Sequence, residues 1–394
     1  MKKKITFLLA MSIALISVTP IAKASTTDNI KVNYSNSDIN SNLNQLNINS
    51  DLQVNVDNQT VKNSVYKSLL IGRFDRSDVN APRFAWSNST IKARFIGTGI
   101  SVNLKSSGDN WFNVVVDGVN QAPINVTPST TSPIVLASGL KKDMHTIELV
   151  KRTEAYIGDA QFLGFQVSDG SLFIPPQSSS KRIMFIGDSI TCGYGNEGTS
   201  QYQTFTTKNE NSSLAYGAVT AKLLGADPMT ISWSGKGVLR NYGGDTTDVM
   251  PDLMDQVLPY DKTLKWDSQS WIPQVVVINL STNDYGIGIP DKADFTNAYT
   301  KLVDKVRADY PEANIYCAVG PMLSGDKLES ARNYISGIAT SKETSGDNKI
   351  HFIEFPVQDF ANGLGEDWHP SVKTHELMAN QLASQIQKDL GWNR

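Results

Sequence analysis

The chain has 394 residues, more than one compact core ordinarily holds, so two domains are expected. Its 36 basic and 39 acidic residues leave a net charge of -3, with no basic surplus to recruit nucleic acid or an anionic membrane. Only two cysteines are present, Cys192 and Cys317. Both lie in core-like segments, so two buried free thiols are expected rather than a stabilising bridge.

Residues 1–24 read as a secretory signal: Lys2-Lys3-Lys4, an apolar run from Ile5 to Val18, and Ala22-Lys23-Ala24 before Ser25. The expectation is a secreted, extracellular protein with no membrane association after cleavage. Residues 25–62 are rich in Asn, Ser, Asp and Thr and read as a polar linker, with one short strand possible at Leu52 to Val56. From 63 to 170 the pattern is period two, as in Ile91 to Phe95, Ile100 to Leu104, Trp111 to Asp117 and His145 to Val150. Turn signals separate these runs, at Gly97-Thr-Gly, Asp117-Gly and Ser138-Gly. Short strands without a helical stripe predict an all-β, jelly-roll-like sandwich. Residues 171–181, with Pro175-Pro176 and Ser178-Ser-Ser180, read as an inter-domain linker.

At 182 the pattern changes. Apolar runs at Ile183 to Ile186, Met229 to Ser232, Val275 to Leu280, Asn314 to Val319 and Ile350 to Phe355 alternate with helical stretches. Among these are Ser213 to Leu224, Asp294 to Asp309 and a last helix over about 371–389, striped by Leu377, Met378, Leu382 and Ile386. Such alternation predicts a flavodoxin-like, three-layer α/β/α domain over 182–394, its sheet parallel except that the last strand is left open.

The chemistry-bearing residues follow the ends of these strands. Ile183-Met-Phe-Ile runs into Gly187-Asp-Ser, placing the Ser189 hydroxyl where a strand ends and a helix begins. Backbone N–H groups there are free to face a negative oxygen, which a serine nucleophile requires. After the second strand, Gly235 lets a backbone N–H approach a ligand closely. After the third, Asn283 offers a side-chain amide to an oxyanion. Of the four histidines, His145 and His351 fall in strand patterns and His375 within a helix. His369 lies in the loop Glu366-Asp-Trp-His-Pro370 and is the natural general base.

Nucleophile, backbone donor, Asn and His in this order resemble the SGNH (GDSL-type) hydrolase superfamily. The carriers are Gly187-Asp-Ser-Ile, Ser234-Gly235, Thr282-Asn283-Asp284 and Asp367-Trp-His369. Gly72-Arg73, Trp86-Ser-Asn-Ser-Thr-Ile, Val116-Asp-Gly, Leu149-Val-Lys-Arg-Thr-Glu154, Ser234-Gly-Lys-Gly-Val238 and Asp367-Trp-His-Pro-Ser371 make the chain look like carbohydrate esterase family 2, the acetyl xylan esterase type.

The resemblance implies an esterase that removes O-acetyl groups from plant polysaccharides such as xylan or glucomannan, without metal or other cofactor. It assigns Ser189 as nucleophile, His369 as base, and Ser189, Gly235 and Asn283 as the oxyanion hole. The third block opens with Ser281 where the superfamily usually has Gly. The superfamily's acid lies three residues before the His, here Glu366, whereas the family favours Asp367 or a backbone carbonyl in its place. Aromatic faces stack sugars, so Tyr194, Trp368 and Trp233 are candidate substrate-binding residues, with Trp111 behind them. The expected partner is an acetylated polysaccharide or oligosaccharide, and the chain is expected to act as a monomer. The alternatives are an acyl hydrolase on lipid or thioester substrates, or a non-catalytic carbohydrate-binding protein.

Overall fold

The computed structural model describes residues 64–392, so the expected signal, the expected polar linker and the strand expected at Leu52 to Val56 lie outside the described residues. The sandwich contributes eleven strands. They are β1 (Ser68–Ile71), β2 (Arg83–Phe84), β3 (Thr90–Gly97), β4 (Gly99–Ser106), β5 (Asn110–Val116), β6 (Val119–Asn120), β7 (Ile124–Val126), β8 (Ile134–Ala137), β9 (Asp143–Lys151), β10 (Ala160–Ser168) and β11 (Ser171–Leu172). One sheet runs β1-β3-β9-β5-β6, with β11 on β3 and β7 on β5; the other runs β2-β10-β4-β8. All pairings are antiparallel.

Alternation explains the layering. In β3, Ile91, Ala93 and Phe95 are buried while Lys92 and Arg94 are only partly so. With Val102 and Leu104 of β4 and Phe112 and Val114 of β5 they form one core between the sheets. Because β11 pairs with β3, the sandwich extends through Leu172, two residues beyond the expected boundary.

The second half is a five-stranded sheet in the order β13 (Asp227–Ser232), β12 (Arg182–Gly187), β14 (Val275–Asn279), β15 (Asn314–Val319), β16 (Ile350–Glu354). Every pairing is parallel, β16 included, which closes the question left open for the last strand. The central strands β12 and β14 are apolar over residues 183–186 and 275–278 because both of their faces are covered. Met184, Ile186, Val276, Ile278, Ile315 and Cys317 face one core; Ile183, Phe185, Val275, Val277 and Tyr316 face the other.

Its helices are α1 (Ser189–Cys192), α2 (Tyr216–Leu224), α3 (Met250–Leu253), α4 (Lys292–Asp309), α5 (Gly325–Thr344) and α6 (Val372–Leu390). Helices α4 and α5 supply the first core, α2 and α6 the second. In α6, Met378, Leu382 and Ile386 are buried, but Leu377 is 44% exposed and leaves the expected stripe.

The two halves share a core. Ala85, Trp86 and Ala155 of the sandwich pack with Met250, Leu253 and Leu258 of the α/β half. Arg73 is fully buried, gives its guanidinium to the carbonyls of Met254 and Gln256, and lies over the Trp266 ring. Trp86 Nε1 donates to the same Gln256 carbonyl at 3.3 Å. The buried cysteines are free thiols.

Candidate active site

Strand β12 ends at Gly187, where a Cβ would stand 2.0 Å from Thr191 Oγ1, so no larger residue fits. Asp188 then caps α1: its Oδ1 accepts from Ile190 N at 3.0 Å. Ser189 is the first residue of that one-turn helix and is only 6% exposed. Its Oγ lies 2.9 Å from His369 Nε2.

His369 follows a tight turn, Glu366–Trp368, in which Asp367 and Trp368 take φ values of +46° and +66°. Such left-handed backbone costs a non-glycine residue about 1–3 kcal/mol and persists only where the surroundings fix it. Glu366 does so here. Its buried carboxylate accepts from Thr206 N at 2.7 Å, Thr206 Oγ1 at 3.0 Å and Asn209 Nδ2 at 2.6 Å.

The turn brings the carbonyls of Glu366 and Asp367 to 3.2 and 3.1 Å from His369 Nδ1. Carbonyls only accept, so Nδ1 carries the proton and Nε2 offers its lone pair to Ser189. The expected carboxylate partner at Asp367 is therefore corrected. The Asp367 carboxylate accepts from Tyr194 Oη at 2.9 Å and Phe205 N at 3.1 Å instead. Glu366 is likewise committed elsewhere, and two main-chain carbonyls stand where an acid would. Burial lowers the His369 pKa to about 4 against the raising influence of those carbonyls, leaving a neutral imidazole at neutral pH.

Gly235 follows β13 with φ +79°, a conformation that glycine adopts without strain. Asn283 follows β14. Its Nδ2 donates to Lys236 O at 2.8 Å and to Asp188 Oδ2 at 3.3 Å, tying the Gly235 loop to the Ser189 turn. Desolvation pushes the Asp188 pKa up to about 7. Next to Asn283, the buried Asp284 carboxylate accepts from the N–H groups of Val238, Leu239 and Arg240, fixing the far side of the Gly235 loop. Sequence reasoning gave Asp284 no role; its place beside Asn283 was the available signal.

The candidate sugar platforms differ in freedom. Tyr194 stands 4.2 Å between ring centroids from both Phe205 and His369, so it walls the histidine and offers no open face. Trp233 is packed near Tyr156 and Tyr260, with Lys236 Nζ over its ring. Trp111 is partly buried in β5 of the sandwich. Trp368 is exposed, with Tyr202 and Phe360 around it. Tyr242, 73% exposed, was missed; it lies against Gly235, whose carbonyl accepts from Tyr242 N at 2.8 Å.

Among the described residues, Glu154, Cys192 and Glu210 have ligand atoms within 4.8 Å of one another, close enough for a metal ion. The buried Lys151 amine faces the same three groups, and burial lowers its pKa to about 7.

A serine hydroxyl paired with a neutral, tautomerically fixed imidazole on the C-terminal edge of a parallel sheet defines the α/β serine hydrolases as a class. Comparison with known proteins agrees and is narrower. Residues 70–176 match the family described as Carbohydrate esterase 2 N-terminal, and residues 185–377 match the GDSL-like Lipase/Acylhydrolase family.

A family two carbohydrate esterase from Clostridium thermocellum, solved in complex with cellohexaose, is 48% identical, with a TM-score of 0.81 over 83% of this chain and 100% of that one. A Corynascus thermopiles family 2 enzyme is 31% identical, with a TM-score of 0.75 over 82% of this chain and 100% of that one. Cellulase/esterase CelE of Acetivibrio thermocellus is 48% identical over 336 residues, 85% of this chain but only 41% of CelE. An acetylxylan esterase / glucomannan deacetylase of Cellvibrio japonicus is 26% identical, over 82% of this chain and 89% of that protein. The chain belongs to carbohydrate esterase family 2, a family of carboxylic ester hydrolases.

Proposed function

We propose that this protein is a secreted serine esterase that removes O-acetyl groups from plant cell-wall polysaccharides of the xylan or glucomannan type. The observation that carries this reading is the 2.9 Å approach of Ser189 Oγ to His369 Nε2, with Nδ1 anchored on two carbonyls. His369 takes the Ser189 proton as Oγ attacks the acetyl carbonyl. The oxyanion is received by the N–H groups of Ser189 and Gly235 and by Asn283 Nδ2, whose long 3.3 Å contact with Asp188 is the one to yield. The sugar alcohol leaves with the proton from His369. Water then enters by the same base, releases acetate and restores Ser189.

Substrate class rests on the relatives. Two carry acetylxylan and glucomannan deacetylation in their names, and another was solved with cellohexaose, an extended β-linked chain. Two exposed aromatic faces, Trp368 on the His369 turn and Tyr242 on the Gly235 loop, suit stacking of such a chain across the site.

The test is acetate release from acetylated xylan and acetylated glucomannan by wild type and Ser189→Ala, with p-nitrophenyl acetate and butyrate beside them. Release from a polymer that disappears in Ser189→Ala is the expected result. Preference for butyrate with both polymers idle would favour a lipid or thioester hydrolase. No Ser189-dependent release, with polymer binding retained, would favour the non-catalytic reading.

A further inference from the structure

The sandwich reaches the catalytic edge through the segment that follows strand β9. Strand β9 ends at Lys151, and the chain runs through Arg152-Thr153 to Glu154, which is 1% exposed. The Glu154 carboxylate accepts from Ser234 N at 2.7 Å through Oε2 and from the Ser234 hydroxyl through Oε1. Ser234 immediately precedes Gly235. Cys192, at the end of the helix that begins with Ser189, lies 3.7 Å from the same Oε2 and gives its thiol to Ser232 Oγ at 3.1 Å. Glu154 thus sits between the nucleophile helix and the loop bearing the second oxyanion donor.

Glu154 is itself held firmly. Its N–H donates to Glu210 Oε2 at 3.0 Å, and its carbonyl accepts from the buried Lys151 Nζ at 3.0 Å. Arg152 on the same segment donates to Glu210 O at 3.2 Å and pairs with Glu197. The Ser234 N–H and hydroxyl, once docked on this carboxylate, hold the Trp233–Ser234 peptide and the Ser234 side chain, one residue before the Gly235 N–H. Asp284 fixes the loop from the other side through Val238, Leu239 and Arg240. With both ends anchored, the direction of the Gly235 N–H is set before substrate arrives, and preorganised donors are what lower the barrier to a tetrahedral intermediate.

We propose that Glu154 is a positioning residue for ester hydrolysis, supplied by the sandwich to aim the Gly235 N–H at the oxyanion. The proposal rests on the esterase reading above. It makes the sandwich part of the catalytic apparatus without contact to the reacting atoms.

The experiment compares kcat and KM on p-nitrophenyl acetate for wild type, Glu154→Leu, Glu154→Gln and Ser234→Ala, each checked for folding by its thermal melt. Glu154→Leu keeps volume but removes both acceptors. Its kcat is expected to fall about 10–100-fold at nearly unchanged KM, short of the full loss of an oxyanion donor. Glu154→Gln retains one acceptor and gains an N–H that the Ser234 hydroxyl can accept, so it should stay within about threefold of wild type. Ser234→Ala should lose several-fold, and adding it to Glu154→Leu should cost nothing more, as expected for one shared contact.

A folded Glu154→Leu at wild-type kcat would overturn the proposal. So would equal losses in the Leu and Gln variants, which would assign the effect to charge in the interface. If Glu154→Leu does not fold, a folded Ser234→Ala at wild-type kcat overturns it alone. A wild type without Ser189-dependent turnover would end the esterase reading and this proposal together; the outcomes above require an active wild type and so separate the two.

Discussion

At the scale of single residues, the proposed base is defined by what surrounds its ring. His369 presents a neutral Nε2 to Ser189 because carbonyls hold Nδ1–H and burial opposes the charged form. In the proposed mechanism turnover requires the neutral imidazole, so activity should be full above the His369 pKa and be lost as pH falls through it. That pKa is lowered to about 4, so the acid limb of kcat/KM should lie well below the ordinary histidine value of about 6.5. A midpoint at or above 6.5 in the pH–rate profile would show a ring less shielded than described. Trp368, 45% exposed, should act on polymer and not on small esters. Trp368→Ala should raise KM for acetylated polysaccharide several-fold while p-nitrophenyl acetate kinetics stay near wild type; equal effects on both would remove it as a sugar platform.

Ser189, Gly235, Asn283 and His369 were legible in the sequence because each follows an apolar strand, or precedes the last helix, with a residue type that the chemistry needs. The orientation of the Asp367 side chain was not legible. It depends on a left-handed turn fixed by Thr206 and Asn209, some 160 residues away in sequence.

Single elements carry the next level of control. The turn Glu366–Trp368 is held by the Glu366 carboxylate, whose partners Thr206 N and Asn209 Nδ2 would be stranded by its removal. Glu366→Ala should therefore destabilise the protein by about 1–3 kcal/mol for each donor left unsatisfied. It should also lower kcat, because the carbonyls facing His369 lose their fixed place. Melting temperature and kcat measured on one preparation check this; an unchanged melt would contradict it.

The central parallel strands β12 and β14 were readable because both their faces are buried, giving apolar runs at residues 183–186 and 275–278. Helix α5 was not marked from sequence. Only Ala331, Ile335, Ile338 and Ala339 of its 20 residues are buried, a stripe too thin to stand out. Leu377 misled for the opposite reason: an apolar residue at the right spacing faces solvent.

At the scale of the molecule, the two halves share one core. Trp86 is 1% exposed, packs into the first core of the α/β half and donates to Gln256 O. Removing so large a buried side chain costs about 3–5 kcal/mol. Trp86→Ala should lower stability of both halves together, seen as a single shifted transition in urea. Two separated transitions would show halves that fold independently. The change from period-two strands to alternating strands and helices announced both halves in the sequence. Their shared core could not be read there, since Trp86, Arg73 and Glu154 reveal their partners only once the chain is folded.

The claim on which these scales converge is a serine–histidine pair oriented by the main chain. The measurement that tests it most directly is kcat for acetate release by wild type, Ser189→Ala and Asp367→Asn, all confirmed folded. Ser189→Ala should fall at least about a thousandfold, as for loss of a nucleophile. Asp367→Asn should stay within about tenfold of wild type, because its carboxylate touches only Tyr194 and Phe205. A fall in Asp367→Asn near the 10⁴-fold typical of a triad aspartate would contradict the account and return the role to the carboxylate.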